Sequence, residues 1–203
     1  PKAHGTNIVF GGSVIAGTRA KKERSKSYNA FSSINYPDIA VIQDRRIIFY
    51  IDDKNHITDR IRFYHKLDDR VFLLKLIPGS SGAIIDSLAE TTDALIIESF
   101  GVGGLPDYGD DEFYQAIRRF VEKGKIVIMA TQVTHEGSDM SVYQVGKMIK
   151  REFSLLESYD MTLEATVAKT MWALQESIDP EGFREKFYKK INHDIMFSPE
   201  QNH

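Results

Sequence analysis

The sequence predicts an α/β protein dominated by a parallel sheet with helices packed on its faces. Two observations carry this. From Val71 onward, short apolar runs alternate with segments of helical periodicity, as in strand–helix–strand units. The helical segments also carry end signals, with acids at their starts and glycine at a stop. Around residues 55–69 the character changes, and upstream of it strands and turns dominate. Residues 1–58 are therefore read as part of one domain, 59–69 as a linker and 70–197 as a separate α/β domain.

Taken in order, residues 7–15 begin with Ile8, Val9 and Phe10 running into Gly11-Gly12, a strand entering a tight turn or bulge. A cationic stretch follows, with Arg19, Lys21, Lys22, Arg24 and Lys26 set against Glu23. Residues 46–51 read as a strand that enters the turn Asp52-Asp53-Lys54-Asn55. Beyond the linker, strands are expected at 71–77, 94–98, 125–130 and 153–156. Helices are expected from about Ser81, over 112–123, near 141–151, from Leu163, and over 180–191.

Asp110-Asp111-Glu112 suit the positive end of a helix, and Gly124 suits its left-handed stop. Phe113, Ile117, Phe120 and Val121 share its apolar face. Thr162 is placed to cap the next helix, whose Leu163, Val167, Met171 and Leu174 recur at core spacing; Trp172 is counted as packing. The final helix carries Phe183 and Phe187 on one side.

Composition narrows the function classes. With 203 residues, 42% of them apolar, the chain can bury one full core and part of another. A net charge of −3 gives no support for nucleic-acid binding over the whole surface. No cysteine is present, so thiol chemistry and disulfides are excluded. No apolar run approaches the roughly eighteen residues of a membrane span, and no signal peptide is visible. A cytoplasmic location is the expectation, unless a signal preceded residue 1. The six histidines show no metal-ligand spacing, and the paired acids lie beside turns or helix starts, so neither a metal nor another cofactor is expected. Gly101-Val102-Gly103-Gly104-Leu105-Pro106 is not a dinucleotide fingerprint, because Pro106 stands where the third glycine is required.

In a parallel sheet the carboxyl ends of the strands form the ligand edge. Here that edge gathers Pro78-Gly79-Ser80, residues 99–105, Thr131-Gln132 and Tyr159-Asp160-Met161. The cationic stretch has two readings on charge alone. One is a solvated basic loop or phosphate patch. The other is a lysine held inside the fold, its pKa lowered by its like-charged neighbours so that it can serve as a general base.

Motifs separate the two readings. Residues 8–15, the Arg-x-x-Lys of Arg19 to Lys22, and Asn29-Ala30-Phe31 leading to Asn35-Tyr36-Pro37 resemble one segment of the bacterial-type asparaginases, amidohydrolases with a threonine nucleophile. The likeness continues at 93–104, at 113–131 and at Asp160-Met161-Thr162-Leu163-Glu164-Ala165, so nearly the whole chain takes part. The resemblance implies the end of an amino-terminal asparaginase domain followed by a smaller, flavodoxin-like parallel-sheet domain with flanking helices. Counting back nine residues from Phe31, as the family pattern requires, identifies Lys22 as the lysine of the family's Thr-Lys-Asp group, with Lys21 as the neighbouring alternative. The family commonly has Asn where Gly104 follows Gly103, a residue that reaches a neighbouring subunit's substrate; Gly104 puts that contact in doubt.

The family's two threonine motifs have no equivalent here, and His4-Gly5-Thr6-Asn7 lacks the Asp-Thr pair of the second. The chain is thus expected to be the carboxyl-terminal portion of an asparaginase, inactive alone. By the resemblance, the enzyme converts asparagine, with glutamine as a second candidate, to the acid and ammonia, needs no cofactor, and forms a dimer or tetramer. The alternatives are an asparaginase-like subunit of a tRNA-dependent amidotransferase and a non-catalytic assembly fragment.

Overall fold

The computed structural model describes residues 5–51, 62–106, 111–142, 144–177 and 179–197. Strand β1 (Asn7–Phe10) turns back into β2 (Ser13–Ala16) across Gly11 and Gly12, with φ of 59° and 88°. Two successive left-handed residues match the twist of a tight hairpin, so the turn expected at this glycine pair forms here. One turn of 3-10 helix, Gly17–Arg19, leads into β3 (Ala20–Lys22), which pairs antiparallel with β4 (Phe31–Ser33) as a separate ribbon. Strands β5 (Ala40–Gln43) and β6 (Arg46–Phe49) then close a four-stranded antiparallel sheet in the order β1-β2-β5-β6. Val14, Ala16, Ile39 and Ala40 form its small buried core. The turn expected at 52–55 lies outside the described residues.

The second part is the parallel sheet. β7 (Val71–Lys75), β8 (Ala94–Ser99), β9 (Ile126–Thr131) and the short β10 (Leu156–Glu157) lie side by side in sequential order. Side chains alternate across β8, so Leu95 and Ile97 face one layer while Ile96 faces the other. Helices α1 (Ala83–Leu88), α2 (Glu112–Glu122) and α3 (Gln144–Glu152) cover the first face with Ile85, Phe113, Ile117 and Phe120. Helices α4 (Leu163–Glu176) and α5 (Pro180–Tyr188) cover the second with Ala173, Phe183 and Phe187. No helix among the described residues is long and apolar enough to cross a membrane.

Several local expectations change. The strand expected at 153–156 is reduced to Leu156–Glu157, because Ser154 takes a left-handed φ of 52° and Phe153 turns into the helix-side core. Asp111 occupies the position before α2 with φ of 51° but its side chain makes no capping bond. Glu112 instead accepts from the Gly82 N–H at 2.8 Å, tying the start of α2 to the start of α1. The stop at Gly124, with φ of 76°, is as read from the sequence. α5 ends at Tyr188 rather than at 191, since Lys189 is extended.

The largest difference concerns α4. The sequence places its core face on Leu163, Val167, Met171 and Leu174; Leu163, Val167 and Leu174, with Trp172, do pack half-buried against the core, but its most deeply buried side chains are Thr166, Lys169, Thr170 and Ala173. The two threonine hydroxyls bond back to the carbonyls four residues earlier, at 2.9 and 2.7 Å, and so need no solvent. Lys169 is held by Asp194 at 2.6 Å. Polar residues can line this side because every one of them has a partner.

Candidate functional site

The carboxyl ends of the parallel strands are stapled by side chains. The Gln132 amide Nε2 donates to the carbonyls of Leu76 (2.7 Å) and Glu98 (3.1 Å), bridging the ends of three neighbouring strands. Ser99 Oγ donates to the Ala130 carbonyl at 2.6 Å, and Thr131 Oγ1 donates to the Gly101 carbonyl. This edge carries a small cleft whose walls include Lys21, Asn35, Glu98, Thr134, Ser158 and Thr162. Its volume of about 30 Å³ leaves room for a water or two.

The loop over the cleft passes through Gly137, whose φ is +78° and where an added Cβ would lie 2.3 Å from the Tyr159 carbonyl oxygen. Gly137→Ala combines the left-handed penalty with a backbone clash, so it should lower unfolding stability by at least about 2 kcal/mol. A denaturant titration checks this: an unchanged midpoint would show that the loop does not hold this approach in solution.

The base of the β3–β4 ribbon is fixed from the parallel-sheet domain. Arg19, counted in the sequence as part of a cationic stretch, is fully buried, which corrects the solvated-loop reading for this residue. Its Nη2 meets Asp160 Oδ2 at 2.8 Å, its Nη1 donates to the Asp160 carbonyl at 2.6 Å, and its Nε donates to the His193 carbonyl. The Tyr36 ring lies 5.5 Å from the guanidinium and stacks on His193. The Asp160 carboxylate also accepts the Met196 N–H (3.0 Å) and the Phe197 N–H (3.2 Å). Thr162 caps α4 as expected, accepting from the Ala165 N–H, and its hydroxyl donates to the Thr18 carbonyl at 3.0 Å.

Beside this cluster lies the Lys169–Asp194 pair, with side-chain exposures of 3% and 4%. Burial lowers the Lys169 pKa below its ordinary value, against the pull of Asp194. Sequence periodicity did not single out Arg19, Lys169 or Asp194. A lysine flanked by Thr166 and Thr170 on the buried side of α4 was the available signal.

Lys21 and Lys22 lie at successive positions of β3 and so point to opposite faces. Lys21 turns into the cleft, with Nζ 3.3 Å from Thr134 Oγ1. Lys22 is exposed, so the expectation of a lysine held inside the fold is not met at this position among the described residues; its Nζ lies 5.9 Å from the centre of the Phe31 ring. Phe31 in turn packs edge-on against Phe10. Lys22 and Phe31 are cross-strand partners, so the nine-residue spacing read from the sequence corresponds to the closure of this ribbon. Gly103 and Gly104 lie in a turn at the end of β8, where both N–H groups donate to the Phe100 carbonyl, at 3.1 and 2.7 Å. That turn belongs to the parallel-sheet part and Lys22 to the ribbon, so the two sequence-predicted elements of the site sit on different parts of the chain. Among the described residues, no group of three or more His, Asp or Glu side chains is placed to hold a metal ion.

The family model of the glutaminase/asparaginase C-terminal domain matches residues 70–187, and that of the asparaginase N-terminal domain matches residues 1–55. The chain belongs to the glutaminase/asparaginase family. Within it, an L-asparaginase from Thermococcus kodakarensis is 33% identical over 96% of this chain and 58% of its own length. A glutamyl-tRNA(Gln) amidotransferase subunit from Metallosphaera sedula is 30% identical over 81% of the chain and 37% of its own length. The solved structure of the thermostable L-asparaginase from Thermococcus kodakarensis superposes with a TM-score of 0.85, at 33% identity, over 95% of this chain and 57% of that one. The chain thus spans somewhat over half of that relative and less of the amidotransferase subunit. The structure of L-asparaginase I from Vibrio cholerae, 22% identical with a TM-score of 0.80, shares the fold.

Proposed function

We propose that this chain is the carboxyl-terminal portion of an asparaginase that hydrolyses asparagine to aspartate and ammonia. In this reading a threonine hydroxyl supplied by the rest of the protein attacks the side-chain amide carbon. Ammonia leaves, and water then cleaves the resulting ester. Lys22 assists by taking the proton from the attacking hydroxyl or water. The observation that carries the reading is the exposed side chain of Lys22 on the outer face of β3, presented above Phe31 where a further segment can reach it; the base in this reading is its neutral amine.

Lys21, on the opposite face and hydrogen-bonded to Thr134, is less suited to that encounter. The Gly103–Gly104 turn is assigned to a subunit contact near a neighbouring copy's substrate in a dimer or tetramer. Gly104 brings no side-chain donor there. A cytoplasmic location belongs to the same reading.

The amidotransferase reading is favoured by the 30% identity to the Metallosphaera sedula amidotransferase subunit over 81% of the chain. It would direct the released ammonia to a partner protein rather than to solution. The two separate by assay of the full-length protein. Free ammonia from asparagine in the absence of any partner supports the asparaginase, whereas release that needs a partner protein supports the amidotransferase. The isolated 203-residue chain is expected to release none. Robust turnover by that chain alone would overturn the assignment of the nucleophile to the rest of the protein.

A further inference from the structure

We infer that Arg19 and Asp160 are positioning residues for Lys22: a buried ion pair that lets the parallel-sheet domain set where the lysine of the other domain sits. The inference rests on the proposed role of Lys22. Arg19 lies three residues before it, at the end of the 3-10 turn from which β3 starts. At about 3.3 Å per strand residue, the guanidinium anchor and the Lys22 backbone are separated by only about 10 Å of extended chain.

Nothing in the anchor is loosely held. Arg19 is 0% exposed and Asp160 3% by side chain. Two guanidinium nitrogens reach Asp160, and the third reaches the His193 carbonyl. All these partners belong to the chain after residue 159, while Arg19 belongs to the strand-rich part before the linker. Further bonds cross the same boundary, three of them close to the anchor. The Asn35 amide donates to the Asp160 carbonyl (3.2 Å), the Glu136 N–H donates to Asn35 Oδ1 (2.9 Å), and Thr162 Oγ1 donates to the Thr18 carbonyl (3.0 Å). The Ile34 N–H donates to the Arg19 carbonyl at 2.8 Å, so the far strand of the ribbon is held at the same point.

The surroundings favour a fixed geometry rather than a hinge. Asp160 collects the tail through the N–H groups of Met196 and Phe197, and Asp194 of that tail holds buried Lys169 on α4. Arg19, Asp160, Lys169 and Asp194 form two buried pairs of zero net charge, close enough for Arg19 and Asp160 both to act on Lys169. A lysine in place of Arg19 would keep the charge but not the planar fork that grips three acceptors at once. The ribbon would then be free to shift, and a displacement of about 1 Å at a reacting group can cost on the order of 100-fold in rate.

The test uses the full-length protein with Arg19→Lys and Asp160→Glu, each measured for asparagine hydrolysis, thermal unfolding and the ¹³C signal of reductively methylated Lys22, assigned by its loss in Lys22→Arg. The expected result for Arg19→Lys is a fall in kcat of about 10- to 100-fold with KM changed less than threefold. The Lys22 signal should move in a protein that still unfolds cooperatively, and Asp160→Glu should show a smaller effect of the same kind. A folded Arg19→Lys variant with unchanged kcat and an unmoved Lys22 signal overturns the inference. If Arg19→Lys does not fold, Asp160→Glu carries the same decision. If the wild-type protein releases no ammonia, the functional reading fails, and the Lys22 signal alone decides whether Arg19 positions that lysine.

Discussion

Lys22→Ala in the full-length protein is expected to lower kcat for asparagine by roughly 10²–10⁴-fold, the usual contribution of a general acid–base group. KM should change little, because the proposed part of Lys22 is proton transfer rather than uniform binding of the substrate. Lys21→Ala makes the informative contrast. Its ammonium lies on the opposite face of β3 and meets Thr134, so its loss removes one 3.3 Å contact in the cleft and should cost less than about tenfold. Steady-state ammonia release by both variants decides the matter. A large loss for Lys21→Ala with a small one for Lys22→Ala would move the assignment by one residue and place the chemistry on the cleft face of the ribbon.

Asp194→Ala is expected to cost the fold about 3–5 kcal/mol, as when one partner of a buried ion pair is removed. The reason is specific to α4. Lys169 is 3% exposed at its side chain, and Asp194 is its acid partner at 2.6 Å. The same carboxylate accepts the Ile191 N–H at 2.8 Å, so the turn after α5 loses its own anchor as well.

The loss should also depend on pH, with a defined sign. Burial already holds the Lys169 pKa below its ordinary value of 10.5, and Asp194 is the main influence raising it. Without Asp194, the folded protein gives up the Lys169 proton at lower pH than the unfolded chain does. Between those two values the unfolded state binds more protons, so the stability of the variant should rise as pH is raised toward 10.5. Wild type should show less of this recovery. Denaturant midpoints measured from neutral to alkaline pH test it, and an Asp194→Ala protein equally weakened at every pH would mean that Lys169 is not the group responsible. Lys169→Met with Asp194→Asn should recover much of the loss, because it removes both buried charges while the amide oxygen of the introduced asparagine can still accept the Ile191 N–H.

The parallel-sheet part was legible because its signals are local and repeated. Apolar runs such as Leu95-Ile96-Ile97 can only be buried on both faces, and Gly124 ends α2 where a left-handed residue is needed. Thr162 was legible as a cap for the same reason. The failures have equally physical causes. Of the acids expected at the start of α2, Asp110 lies outside the described residues, Asp111 is left-handed and makes no side-chain cap, and Glu112, in the first turn, bonds Gly82 thirty residues away in sequence. On α4 periodicity finds the aliphatic residues that pack half-buried on the core, but it counts apolar side chains only and misses the deeper Thr166, Thr170 and Lys169, whose partners such a count does not register.

What the sequence determined by itself was the family, the alternation of elements in the larger part and the candidate lysine, since each depends on residues near one another along the chain. Only the tertiary structure decided what the cationic stretch is made of. Side-chain alternation along β3 turns Lys21 inward and Lys22 outward. Arg19, a few residues earlier in the same run of positive charge, is withdrawn from solvent altogether, because Asp160 and the His193 carbonyl, 141 and 174 positions away, supply the acceptors that make its burial possible.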